Sequence, residues 1–137
     1  MIDHRNIRQK FRTQLLTVTT LPVEARRSWE GRSFEPPDPP AMWIAEKLIP
    51  ISETLPANNT IEFVGIMQYR VYTPGNKGTE GAEDLVKAIG DAFKPATVVG
   101  ALAPIDATQR LTGFYTEKNA WYVIPIRIRF RAYTTNV

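Results

Sequence analysis

The sequence contains no cysteine and only one histidine, His4, among its 137 residues. The lack of cysteine excludes disulfide bonds, thiolate catalysis and cysteine-ligated zinc, and a single histidine excludes metal sites built from several imidazoles. No apolar run approaches the roughly 20 residues that a membrane-spanning helix needs. The charged segment 1–11 does not resemble a signal peptide. We therefore expect no membrane partner.

A strong excess of one charge is also absent. The chain has 17 lysine and arginine residues against 14 aspartate and glutamate residues, which gives a formal net charge of +3. Such a mild excess does not by itself indicate nucleic-acid binding. Hydrophobic residues make up 43% of the chain, enough for a core, and the length is typical of one domain. We expect a single domain over residues 1–137.

Hydrophobic spacing predicts two helices. Residues 3–17 place Ile7, Phe11 and Leu15 on one stripe, and Asp3 is suited to cap the first turn. Residues 80–93 form a second amphipathic pattern with acidic residues at its start, where they complement the helix dipole. Strands are predicted at residues 42–51, 61–73, 98–102, 109–116 and 121–133, with a hairpin between the first two and another between the last two.

The last predicted strand alternates between apolar and basic residues. We expect one face to be buried beneath the helices, and that face carries Tyr122, Ile124, Ile126, Ile128 and Phe130. The other face carries a stripe of three arginines, Arg127, Arg129 and Arg131. Three roles stay open for this stripe at this stage: it tracks phosphates, it pairs with carboxylates of a partner subunit, or it faces solvent.

Two irregular segments supply further candidate contact residues. Residues 19–40 hold several prolines and predict a stiff connector, which Trp29 and Phe34 anchor to the body of the domain. Residues 73–81 form a glycine-rich loop that includes Gly75 and Lys77. This loop has neither the Walker spacing nor the dinucleotide-binding spacing, and the following helix begins with carboxylates that would repel a phosphate. We therefore expect no nucleotide site and no bound cofactor.

No arrangement of residues predicts an active site. A catalytic triad needs a base near its nucleophile, and His4 lies close to a chain end. Glu83 and Asp84 are adjacent on the second helix, so their carboxylates point in different directions. The sequence therefore favours a binding or assembly protein over an enzyme.

The order of landmarks resembles the tail terminator proteins of long-tailed bacteriophages and prophages. After the first helix come Leu21-Pro22 and a Trp…Phe-x-Pro-Pro segment at residues 29–37. The second long strand ends in Tyr-x-Pro-Gly at residues 72–75, before the glycine-rich loop. The chain closes with Trp-Tyr-x-x-Pro-Ile at residues 121–126, which runs into the arginine-rich strand. Residues 98–108 carry few of these landmarks.

The resemblance implies an α+β fold with a mostly antiparallel sheet of about four to six strands and two main helices packed on one face. It implies a homohexameric ring that caps the finished tail tube, ends its polymerisation and offers the docking surface for the head. The implied partners are the tail tube protein, the head–tail connector protein and, loosely, DNA in the ring lumen. The implied location is the head-proximal end of the tail, after assembly in the host cytoplasm.

Candidate interface residues under this interpretation come from the connector, the glycine-rich loop and the arginine stripe: Trp29, Phe34, Gly75, Lys77, Arg127, Arg129 and Arg131. Two other interpretations remain. One is a different neck or head-completion protein of the virion. The other is a nucleic-acid-binding module that uses the arginine stripe, with Tyr115, Trp121 and Tyr122 as stacking platforms.

Overall fold

The computed structural model describes residues 3–37, 40–54, 60–100 and 103–135. Within these ranges the helices are α1 (His4–Leu15) and α2 (Glu80–Ala92), and short 3₁₀ turns lie at Glu24–Arg26 and Glu117–Asn119. The strands are β1 (Arg27–Ser28), β2 (Trp43–Thr54), β3 (Thr60–Pro74), β4 (Val98–Val99), β5 (Ala103–Arg110), β6 (Phe114–Tyr115) and β7 (Trp121–Thr135).

The strands form one curled, mixed sheet that dominates the molecule. Its order is β1-β2-β3-β7-β5-β4, and β6 pairs with part of β7. β1 runs parallel to β2, whereas the other pairs are antiparallel. The expected fold class is therefore wrong. The fold is not an antiparallel sheet of four to six strands with two helices packed on one face.

Three strands of only two residues each account for much of this difference. β1 lies in the proline-containing connector, where a parallel bridge places Arg27 opposite Ile44 and Ser28 opposite Ala45. β4 and β6 are equally short and occupy only part of the strands expected at residues 98–102 and 109–116. Such bridges form because a long neighbouring strand offers free backbone groups, and a two-residue segment has no periodicity that a sequence pattern reveals.

The helices and the long strands follow the predicted pattern. The backbone N–H of Arg5 donates to the Asp3 carboxylate at 2.9 Å, so Asp3 caps α1 as expected. Ile7, Phe11 and Leu15 are buried. The hairpin of β2 and β3 and the hairpin of β6 and β7 both form. The turn expected at residues 53–59 lies mostly outside the described residues.

The core lies against one face of β7, as the alternation predicts. Ile124, Ile126, Ile128 and Phe130 are each at most 2% exposed, and Tyr122 is partly buried beside them. Phe11 of α1 contacts Phe130 with ring centroids 4.7 Å apart and stacks on Phe93, just after α2, at 5.5 Å. Full burial of a large apolar side chain contributes about 1.5–3 kcal/mol, so this face stabilises much of the domain.

Two predicted boundaries are wrong. The strand expected at residues 109–116 is instead β5 at Ala103–Arg110, so that only the last two residues of β5 and the short β6 fall inside the expected range. β5 contains Pro104 and a register shift at Asp106, which weaken its intrinsic strand signal, and it forms through its pairing with β7. The glycine-rich loop is also shorter than expected, because β3 extends to Pro74 and α2 begins at Glu80.

Candidate interaction surfaces

Trp29 lies inside its own subunit. Its side chain belongs to the core and is 7% exposed. Its indole N–H donates to Glu24 at 2.9 Å, and this hydrogen bond lowers the pKa of the Glu24 carboxyl. The Arg12 guanidinium lies 4.8 Å above the indole ring. Trp29 anchors the connector, as expected, but it leaves little surface for a partner.

Phe34 belongs to an aromatic cluster at one end of the sheet face that is turned away from the core. Its ring lies 4.8 Å from Trp43, which stacks on Tyr72 at 3.8 Å and meets Trp121 edge-on at 5.8 Å. Aromatic pairs at these distances are favourable beyond the area they bury. The cluster therefore fixes the connector to this end of the sheet. We call the whole sheet face that is turned away from the core the outer face.

The loop between β3 and α2 borders a shallow groove beside the aromatic cluster. The backbone N–H of Gly75 donates to the Ala120 carbonyl at 3.1 Å, and that of Lys77 donates to the Pro74 carbonyl at 3.2 Å. The Lys77 side chain is exposed. The groove has a volume of about 390 Å³ and is lined by Pro40, Pro74, Gly75, Asn76, Ala120 and Trp121.

The three arginines of β7 all lie on the outer face, but their surroundings differ. Arg131 pairs with Glu62 at 3.0 Å and with Asp106 at 2.9 Å, and its hydrogen bond to Asp106 does most to raise its pKa. Arg127 donates to the neutral Gln68 side chain at 3.0 Å. Arg129 forms no ion pair with any residue of the described ranges. The stripe therefore holds one arginine, Arg131, whose charge is balanced by two carboxylates, and two arginines, Arg127 and Arg129, whose charge is free to pair with a partner molecule.

The two available arginines sit in an open part of the outer face. Strand pairing places Lys47 of β2, Gln68 of β3 and Gln109 of β5 in the same row as Arg127. The next row carries Ile66 and Ala107 around Arg129. A shallow groove of about 160 Å³ between the two rows is lined by Ile66, Ala107, Gln109, Arg127 and Arg129. This part of the face combines positive charge with a small apolar floor.

A partly buried ion pair between Arg12 and Glu46 joins α1 to the sheet, and sequence reasoning missed it. Glu46 points to the core face and is 5% exposed. It accepts from Arg12 Nε at 3.0 Å and from the backbone N–H of Glu30 at 3.2 Å. The hydrogen bond with Glu46 raises the pKa of Arg12. The available signal was the alternation Ile44, Glu46, Leu48, which puts a carboxylate at an inward position.

The neighbouring Glu30 extends this network. Its carboxylate accepts from Arg8 Nε at 3.1 Å and from the backbone N–H of Leu48 at 2.9 Å. Glu30 thereby satisfies a backbone donor of β2 that β1 is too short to reach. The basic residues Arg8 and Arg12 of α1 are thus partners of the domain's own carboxylates, and this network is structural.

The geometry weakens the nucleic-acid interpretation. Tyr115 lies opposite Tyr122 across the β6–β7 pair, with ring centroids 4.9 Å apart. Strand alternation puts Tyr122 on the core face of β7, whereas Arg127 and Arg129 lie on the outer face. The two tyrosines therefore share no surface with the arginines. Trp121 is on the outer face but packs edge-on against Trp43.

Within the described ranges, no group of three histidine, aspartate or glutamate side chains is placed to hold a metal ion. Neither α1 nor α2 is both long and apolar enough to cross a membrane. The described residues offer several surfaces: the open basic part of the outer face, the groove beside Gly75, the outward side of α2 and a groove of about 360 Å³ between α2 and β5. Surfaces with exposed arginine and small apolar floors are suited to contacts with other proteins.

Comparison with known proteins gives the family. The family model described as phage tail terminator protein matches residues 6–130. The chain therefore belongs to the phage tail terminator family, as the sequence resemblance predicted. It is a structural protein of the phage tail, and its place is in the virion. A search of curated proteins found no significant match.

Solved structures support the fold. One protein, whose name describes no function, has a TM-score of 0.68 at 19% identity, with 96% of each chain covered. A chain from a structure described as the virion of a native gene transfer agent particle has a TM-score of 0.59 at 14% identity, and the match covers 93% of this chain and 94% of the other. At these identities the likeness shows a shared fold, which is the mixed sheet described above.

Proposed function

We propose that this protein caps the finished tail tube as a homohexameric ring, ends tube polymerisation and provides the docking surface for the head. The observation that carries the proposal is the family match over residues 6–130, which leaves only the two ends of the chain outside it. The proposed partners are the tail tube protein on one side of the ring and the head–tail connector protein on the other.

The surfaces support a role in assembly. A subunit of a closed ring needs two different surfaces that complement each other, since each copy contacts its two neighbours through opposite sides. The open basic part of the outer face is one such surface, and Arg is enriched at the cores of protein interfaces. The exposed Lys77 and the groove beside Gly75 form a separate surface at the end of the sheet, suited to contacts along the tail axis.

Of the interface residues expected from sequence, Phe34, Gly75, Lys77, Arg127 and Arg129 remain proposals. Trp29 is less suitable because it is buried in its own subunit. Arg131 is less suitable because Glu62 and Asp106 already neutralise it. Loose contact of the remaining basic residues with DNA in the lumen stays a secondary part of the proposal.

Removal of the gene from the phage tests the function. Without the cap, we expect tails that vary in length and fail to join filled heads, measured by electron microscopy of lysates. Supplying the wild-type gene from a plasmid should restore uniform tails and infectious particles. Tails of normal length that join heads in the absence of the protein would contradict the proposal. Normal tails that merely fail to join heads would favour a neck or head-completion role.

A further inference from the structure

The open basic part of the outer face holds three cations that lack an acidic partner. We call Lys47, Arg127 and Arg129 the basic patch. All three side chains are exposed, and none forms a salt bridge within the described ranges. The two arginines are adjacent on one face of β7, and Lys47 lies two strands away in the row of Arg127. Like charges this close repel, so the patch opposes folding slightly and gains from an acidic partner. Arg131, two residues beyond Arg129 on the same strand, pairs with Glu62 and Asp106, which shows that an arginine on this face forms ion pairs where carboxylates lie within reach.

The opposite side of the subunit carries an exposed acidic stripe. At 100° per residue, Glu80, Asp84 and Asp91 of α2 lie within about 40° of one another. Leu85 and Ile89 point the other way, into the core. The three carboxylates are exposed and form no salt bridge within the described part of the chain, and Lys87 is the one cation between them. We call Glu80, Asp84 and Asp91 the acidic stripe.

We propose that the basic patch of one copy receives the acidic stripe of α2 from a second copy. The proposal rests on the proposed ring and names the contact that closes it. The patch lies on the outer face, whereas α2 packs against the core face of β3, β5 and β7. Because the two surfaces are on opposite sides of the subunit, each contact leaves one patch and one stripe free. Such a contact is heterologous and propagates until the ring closes.

The spacing of the charges fits this contact. Arg127 and Arg129 are separated by one two-residue step along β7, about 6.5–7 Å. Glu80 and Asp84 are separated by one helical turn, about 6 Å. Two guanidinium groups can therefore meet two carboxylates at once, as charge-assisted hydrogen bonds that are stronger than neutral ones.

The floor of the patch favours a protein partner over nucleic acid. Ile66 and Ala107 lie between the charged rows, in the groove next to Arg127 and Arg129. A helix face can cover such a floor and exclude water, whereas a phosphate backbone gains nothing from apolar side chains. Of the two exposed tyrosines, Tyr115 is on the other face of the sheet, and Tyr133 is on the outer face but lies two two-residue steps, about 13–14 Å, beyond Arg129.

Charge reversal on each surface tests the contact. In sedimentation equilibrium at low ionic strength, we expect Arg127→Glu/Arg129→Glu to weaken self-association by about 100-fold or more, because carboxylates then face carboxylates. Asp84→Arg/Asp91→Arg should weaken it to a similar degree. The matched control is Arg5→Glu/Arg26→Glu, which makes the same charge change at two exposed arginines outside both surfaces and should associate like wild type. Circular dichroism checks that each variant is folded.

Mixing the variants tests whether the contact is heterologous. The first variant's acidic stripe fits the second variant's intact basic patch, and the second variant's reversed, basic stripe fits the first variant's reversed, acidic patch. An equimolar mixture therefore has two working contacts and should form oligomers larger than a dimer in which the two variants alternate, whereas an isologous contact would stop at a dimer. All four substitutions in one chain restore opposite charges and should restore assembly. Wild-type association by either reversed variant would overturn the proposal, and so would a wild-type protein that stays monomeric at its highest soluble concentration. If tails still require the protein while these variants assemble normally, only this contact is wrong and the capping role stands.

Discussion

The alternating side chains of β7 lie in two different environments, one on each face of the strand. On the core face, Ile126, Ile128 and Phe130 are almost fully buried beneath aromatic and aliphatic side chains. On the outer face, Arg127 and Arg129 are exposed, and of the three arginines only Arg131 has acidic partners among the residues that the structure describes. The core face is used for folding. The open basic part of the outer face adds little to the stability of the single chain, so its composition is free to serve contacts with other subunits.

The largest expected effect comes from deleting a side chain on the core face. Phe130→Ala should lower the free energy of unfolding by about 3–5 kcal/mol, since it leaves a cavity against Phe11 and Phe63. Arg129→Ala, one residue away on the outer face, should change it by no more than about 0.5 kcal/mol. Urea denaturation of both variants measures the difference. Equal effects would contradict the assignment of the two faces.

The partly buried ion pair between Arg12 of α1 and Glu46 of β2 gives the next largest effect on stability. Arg12→Met leaves the buried Glu46 carboxylate without its guanidinium partner and should cost about 2–4 kcal/mol of stability. Replacing both residues, Arg12→Met with Glu46→Leu, removes the stranded charge and should recover a large part of that loss. Thermal denaturation of the single and the double variants decides the point. A double variant no more stable than the single one would show that Glu46 does not depend on Arg12.

Two glycines of the fold offer opposite outcomes from the same substitution. A Cβ at Gly65 would lie 2.6 Å from the Phe63 ring and 3.2 Å from the Phe130 ring, so Gly65→Ala should destabilise the protein by about 1–3 kcal/mol. At Gly90 in α2, the nearest atom is Ile126 Cδ1 at 3.7 Å, an ordinary contact. Gly90→Ala should therefore stabilise the protein by about 0.5–1 kcal/mol through helix propensity. Equal signs in urea denaturation would contradict the packing described.

The smallest effect distinguishes the arginines of the outer face from one another. Arg131→Gln removes two exposed ion pairs and should lower the melting temperature slightly at low ionic strength. Arg129→Gln removes no ion pair with the described part of the chain and should leave the melting temperature unchanged or raise it. Salt screens exposed charges, so the difference should shrink as the ionic strength rises. A difference that persists in high salt would indicate that Arg131 acts through packing instead.

The sequence predicts the parts of the fold that carry a long, regular pattern. The stripe of α1, the stripe of α2 and the alternation of β7 extend over several turns or several strand residues, and each placed its residues on the correct side. β1 and β5 were missed because tertiary pairing forms them. β1 has only two residues, and β5 contains Pro104 and a register shift at Asp106. The mixed character of the sheet follows from β1 and was therefore missed as well.

The candidate surfaces could be predicted only in part. The pattern placed all three arginines on one face, which is correct, but it could not separate Arg131 from the others. The partners that neutralise Arg131 are Glu62 of β3 and Asp106 of β5, which are far from it in sequence and depend on the strand order. Trp29 was expected both to anchor the connector and to contact a partner. Its burial against Arg12 and Glu24 confirms that Trp29 anchors the connector, and this burial leaves little of its side chain exposed for contact with a partner.

The most direct measurement is a cryo-electron microscopy reconstruction of the head-proximal end of tails purified from the phage. We expect a hexameric ring of this chain on the last layer of the tube. In that ring, Lys47, Arg127 and Arg129 of each copy should lie against α2 of its neighbour, and the core faces should stay inside their own subunits. A tail end without this chain would contradict the capping function. A ring whose outer sheet faces lie open to solvent would contradict the claim that the core face of β7 stabilises the fold while the outer face contacts a neighbouring subunit.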